Sequence, residues 1–139
     1  MLKKKKILVL VLTVAMLVNC ITMVGASDYE SCYLGETLMV GECGYNSSYA
    51  SGSTYFYLND VSVASEVSVS VTACFLTYSN GQPMEMFYNS EEAYGYYDTE
   101  VDCYPQIENT DVVGVYASHH GTYGEISDSL HTESGRMDL

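Results

Sequence analysis

The stretch YASHHGTYGEISDSLH, residues 116 to 131, holds all three histidines of the chain beside Glu125 and Asp128. Imidazoles and carboxylates in one short segment are the materials of a transition-metal site or of general acid–base catalysis. The spacing argues against both. His119 and His120 are adjacent, and adjacent residues on a strand face opposite ways. A turn at Thr122-Tyr123 would pair His119 with Ile126 and His131 with Gly114, which sets the same-parity imidazoles at opposite ends of a hairpin. A turn at Gly124-Glu125 is the alternative, read as leaving His131 equally remote. No HExxH or HxH spacing is present,. Ser118, His119 and Asp128 could be named as a triad, but there is no GxSxG elbow and no Gly-rich phosphate loop,. The expectation is a terminal β-hairpin with no metal, no cofactor and no catalytic residue. Replacing His119, His120 or His131 singly with Asn should then change stability by less than about 1 kcal/mol.

Oxygen chemistry has a second candidate in YGYYDTEVDCY, residues 94 to 104. On a single strand Asp98, Glu100 and Asp102 project from one face together with Tyr94 and Tyr96,. Calcium accepts such ligands, but same-face neighbours lie about 6.6 Å apart, so the outer pair cannot reach one ion. The segment reads instead as an acidic, tyrosine-bearing surface. Tyr94, Tyr96, Tyr97, Asp98, Glu100 and Asp102 are the candidate binding residues, since tyrosine joins an apolar ring to a polar hydroxyl.

Charge narrows the partner. All four lysines precede residue 7, so the chain after Ala26 sets 18 carboxylates against Arg136 alone, a formal charge of −17. Phosphate backbones and anionic headgroups both demand basic side chains. Nucleic-acid binding and electrostatic membrane docking are therefore not expected, and the partner should be a neutral or basic extracellular or cell-surface component.

The lysines also mark an address. Lys3 to Lys6 form a basic n-region before an uncharged run from Ile7 to Val18, and Val24-Gly25-Ala26 offers small residues to a signal peptidase,. The expected domains are a leader over 1–26 and one secreted domain over 27–139, with 134–139 a frayed tail. An alternative treats Leu17-Val18-Asn19-Cys20 as a lipoprotein signal with Cys20 lipidated. Export into an oxidising compartment leaves four cysteines and predicts two disulfides. Cys32–Cys43 across a local hairpin and Cys74–Cys103 are the preferred pairs.

These groups must be positioned by strands. Over residues 61–81 Val61, Val63, Val67, Val69, Val71, Ala73 and Phe75 occupy odd positions, while Ser62, Glu66, Ser68, Ser70 and Thr72 occupy even ones. That period of two gives one apolar and one polar face. The run is long for a strand, so a bend is expected near Ala64-Ser65-Glu66. Asn80-Gly81 supplies a type I′ turn, which would pair Thr77 with Met84, Phe75 with Met86 and Ala73 with Tyr88. Residues 35–43, 53–58, 94–104, 111–119 and 125–133 read as further strands, and 89–93 as a single helical turn capped by Asn89 or Ser90. The predicted fold is all-β: a small antiparallel β-sandwich or partly open barrel of about six to eight strands, stabilised by disulfides and preceded by a signal peptide.

In general style the chain resembles small exported Ser-, Val- and Tyr-rich β-proteins of Gram-positive bacteria, some of them β-sandwich bacteriocins. No motif carries that likeness, so it brings no function with it. The expected function is a secreted, acidic, non-enzymatic surface-interaction module. A bacteriocin-like or toxin-like effector is the alternative, with an exported hydrolase behind it.

Overall fold

The computed structural model describes residues 26–57 and 62–137. Residues 1–25, which carry Cys20 and all but the last residue of the leader expected over 1–26, lie outside them, as do the last two residues. Eight strands form two four-stranded antiparallel sheets: β1 (Ala26–Leu34), β2 (Thr37–Tyr45), β3 (Ala50–Tyr57), β4 (Ser65–Ser79), β5 (Gln82–Gly95), β6 (Asp98–Cys103), β7 (Thr110–Tyr123) and β8 (Ile126–Gly135). The first sheet runs β1-β2-β3-β6 and the second β5-β4-β7-β8. The two pack in sandwich fashion, with β1 against β8 and β5 against β6 at the margins. No helix occurs among the described residues.

The valine alternation works as expected. Val67, Val69, Val71, Ala73 and Phe75 are buried, and the even-numbered serines look outward. Most of them meet Ala50, Cys43 and Cys103 of the first sheet and Val112, Val115 and Ala117 of β7 in the main core; Val67 joins Leu34, Met39 and Phe56 in a second cluster. Sheets this close need small residues where they touch. A Cβ on Gly52 would sit 2.5 Å from a Val71 methyl, and one on Gly121 would sit 2.4 Å from the Met39 sulfur. Interior packing has no slack for either methyl.

Asn80 and Gly81 both take positive φ, at 51° and 75°, the signature of a type I′ turn. Its register holds for Ser79↔Gln82 and Tyr78↔Pro83 and then slips: Leu76 pairs with Met86, Phe75 with Phe87 and Ala73 with Asn89. The cause is a bulge in which Met84 and Glu85 together oppose Thr77. The Thr77 hydroxyl donates to the Glu85 carbonyl and accepts from its N–H, both at 3.1 Å. The slip places Phe87 on Phe75, ring centroids 5.2 Å apart, instead of turning it to solvent.

Several other expectations are corrected. Residues 89–93 belong to β5, because Ser90, Glu91 and Glu92 find ladder partners in Thr72, Val71 and Ser70. The 61–81 run does break where expected, and β4 begins at Ser65. Ser134 and Gly135 are not frayed: they extend β8, and Arg136 N–H donates to the Val113 carbonyl at 2.8 Å. β1 had no sequence signal at all.

Neither expected disulfide is present; Cys32, Cys43, Cys74 and Cys103 are free. Cys43 pairs with Asp28, four residues along β1 from Cys32, so the two cysteines lie about 13 Å apart on the strand. A bridge needs Cα atoms within about 7 Å. Cys103 points into the core and its thiol donates to the Asn89 carbonyl at 3.6 Å. Cys74 alternates with the inward Ala73 and Phe75, so it faces away from Cys103 although it too is buried,.

Candidate functional site

The outer face of the first sheet carries a groove of about 910 Å³, near the upper end of ordinary ligand pockets. The register builds it row by row. Tyr29, Glu42, Ser53 and Glu100 form one cross-strand row, and Tyr55 and Asp98 are neighbours in the next. The floor is shallow-chained, made by Gly44, Ser51 and Ser53, while tyrosines form the walls. Tyr49 stacks on Tyr104 with centroids 5.4 Å apart, and Tyr55 meets Tyr57 edge to face at 5.3 Å. Tyr97 is held at one end because its carbonyl accepts the Phe56 N–H at 2.9 Å.

One tyrosine is fixed by an acid. The Tyr55 hydroxyl donates to Glu42 Oε1 at 2.7 Å. Burial first, and then the hydrogen bond and charge of Glu42, push this phenol far above its ordinary value, so Tyr55 stays protonated and its hydroxyl keeps donating to Glu42. Among the described residues, no lysine, arginine or histidine lines the groove. Stacking surfaces beside fixed carboxylates can hold a sugar ring or an ammonium group.

The candidate residues over 94–102 do not share one surface. Tyr97, Asp98 and Glu100 line the groove. Asp102 lies one step beyond it and accepts the Tyr104 hydroxyl at 3.1 Å. Tyr94 ends β5 on the second sheet and Tyr96 stands exposed at the corner between the sheets. The chain changes sheet at Gly95, where a Cβ would fall 2.1 Å from the Asp98 carbonyl oxygen. Tyr29, Glu42, Tyr49, Tyr55 and Tyr57 were missed as site residues. The shared parity of Ser51, Ser53, Tyr55 and Tyr57 was the available signal.

The histidine hairpin turns at Gly124-Glu125, with Gly124 at φ 63°. Ser118 then faces His131, His119 faces Leu130 and His120 faces Ser129. This corrects the reading of His131 as remote: it is a diagonal neighbour of His120 on the outer face. There His120 Nδ1 meets Ser129 Oγ at 3.0 Å, and His131 Nδ1 meets Tyr116 Oη at 2.7 Å. With Glu92, Tyr94, Ser68 and Ser70 they border a hollow of about 150 Å³. Ser118 Oγ is 3.3 Å from the nitrogen that Tyr116 already engages, a poor arrangement for activating a nucleophile. Among the described residues no three His, Cys, Asp or Glu side chains are grouped to hold a metal ion.

His119 is a core residue, 1% exposed. The Thr54 hydroxyl donates to the Ser68 carbonyl at 2.9 Å and lies 2.8 Å from His119 Nδ1. Nδ1 therefore carries the proton and donates to Thr54, which leaves Nε2 to accept from the Thr132 hydroxyl at 2.8 Å,. Burial first, then the His131 charge, lowers its pKa to about 4, with the Ser53 carbonyl and Asp28 acting in the opposite direction. A residue expected on the surface is the polar clamp between the sheets.

No protein-family model, curated protein or solved structure matches this chain. The class is defined by the architecture alone: an all-β protein of two four-stranded antiparallel sheets, with a tyrosine-walled acidic groove on one outer face.

Proposed function

We propose that this protein is an exported, non-enzymatic binding module whose working surface is the groove on the outer face of the first sheet. Its occupant is a neutral or basic component of a cell surface or extracellular medium. The groove's tyrosine walls over a floor of glycine and serine carry this reading. A floor without long side chains admits an extended ligand to the ring faces, and rings lose little freedom when covered. The formal charge of −17 after Ala26 keeps acidic polymers away,.

The test is retention on a panel of soluble cell-wall polysaccharides and peptides, with wild type compared to a Tyr29→Ser, Tyr97→Ser double variant. Tyr94→Ser, on the other sheet, is the control. Wild type and control should be retained by the same panel member and the double variant released. Equal retention of all three proteins, or turnover of a panel member, would overturn the assignment.

A further inference from the structure

We propose that the ligand of the groove is cationic: an extended chain presenting amines at regular intervals, of which a lysine-bearing peptide is the simplest form. This rests on the groove being the binding surface and names the chemistry of its occupant.

The argument is charge complementarity. Glu42 and Glu100 flank Ser53 in one cross-strand row, and Asp98 stands in the next beside Tyr55. Asp28, paired with the core residue Cys43, turns its carboxylate the other way, to the Glu133 N–H at 3.0 Å. None of the described residues lining the groove is a cation. An uncharged ligand that covered this surface would strip water from the carboxylates and return only neutral hydrogen bonds, and uncompensated burial of charge is costly. An ammonium group supplies the missing partner.

The tyrosines fit the same occupant. Lysine lays an apolar stem on a ring and keeps its head at an acid, and the ring face itself attracts the cation. Spacing agrees as well. Asp98 and Glu100 follow one another along β6 at about 6.6 Å, which is also the interval between alternate side chains of an extended peptide,. Glu42 and Glu100, two strand spacings apart, sit about 10 Å from each other and so bracket one chain.

Isothermal titration with pentalysine, and separately with an uncharged cello-oligosaccharide, tests this. Pentalysine should bind wild type, and raising salt to about 0.3 M should weaken it by about tenfold or more. Glu42→Gln with Glu100→Gln should weaken it by about tenfold, and Tyr97→Ser should weaken it too. A charge-matched control, Glu85→Gln with Glu108→Gln on the exposed far end, should leave affinity unchanged. Equal loss in both double variants would mean unspecific attraction to an acidic chain and would overturn the proposal. Binding of the oligosaccharide but not of pentalysine, abolished by Tyr97→Ser, would overturn the cationic ligand and leave the groove as the binding surface. Binding of neither would overturn both.

Discussion

Acidification should weaken this fold through His119. In the folded protein its pKa lies at about 4 against an ordinary 6.5, held there chiefly by burial. Between those values the unfolded chain takes up a proton that the folded chain refuses, so unfolding becomes easier as pH falls. The contribution is complete above 6.5, drains away as pH drops from 6.5 to about 4, and is flat below. At about 1.4 kcal/mol for each unit of difference, the loss is about 3 kcal/mol, a large share for one domain. Carboxylates titrate nearby in pH, and their common contribution is removed by comparison with His119→Asn. That variant should itself be about 2–4 kcal/mol less stable at pH 7, from two lost hydrogen bonds and an imperfectly filled site. Urea unfolding of both proteins at pH 7 and pH 4.5 is the assay, and the gap between them should narrow by about 2 kcal/mol at the lower pH. If the variant does not fold, the ring protons of wild type still report, staying neutral down to about pH 4. A constant gap, or a His119 that titrates near 6.5 in the folded protein, would refute the reasoning.

Three more outcomes follow. Gly41→Ala places a methyl 2.4 Å from the His119 ring, which is pinned on both sides, so it should destabilise by about 1–3 kcal/mol in urea unfolding. Thr77→Val removes both bonds that stitch the bulge to Glu85 and should cost about 1 kcal/mol; no change in midpoint would show the bulge to be held by packing alone. Thiol titration of the unreduced, denatured protein should find Cys32, Cys43, Cys74 and Cys103 all reactive. In the native state, alkylation of Cys32 should be slow at neutral pH, because burial and then the charge and hydrogen bond of Asp128 push its thiol up to about 11,. A native disulfide on peptide mapping would overturn that expectation.

The fold was legible where one face is buried and the other wet. Val67 to Phe75 and the Asn80-Gly81 turn identify their strands because local chemistry and tertiary packing ask for the same thing. β1 was silent for the opposite reason: Tyr29, Ser31 and Tyr33 on its outer face are exposed, while its inner face carries Asp28, Glu30 and Cys32, so no apolar alternation is written into it. Registers were lost at bulges, since one added residue reverses every later side chain and Thr77 looks like any strand threonine. His119 was misplaced because burial of an imidazole depends on Thr54 and Thr132, which arrive from distant strands. The groove was half visible. Tyr97, Asp98 and Glu100 stood out locally, but their union with Glu42 and Tyr55 depends on β3 pairing with both β2 and β6. That pairing leaves no trace in any short stretch.

Amide chemical-shift mapping with pentalysine reads out whether ligand is held on the outer face of the first sheet. Graded shifts are expected at Glu42, Ser53, Tyr55, Asp98 and Glu100, which line one groove. The outer face of the second sheet, at Ser70, Tyr94, His120 and His131, should remain still. Shifts concentrated on that second face, or spread evenly over acidic residues of both sheets, would contradict it.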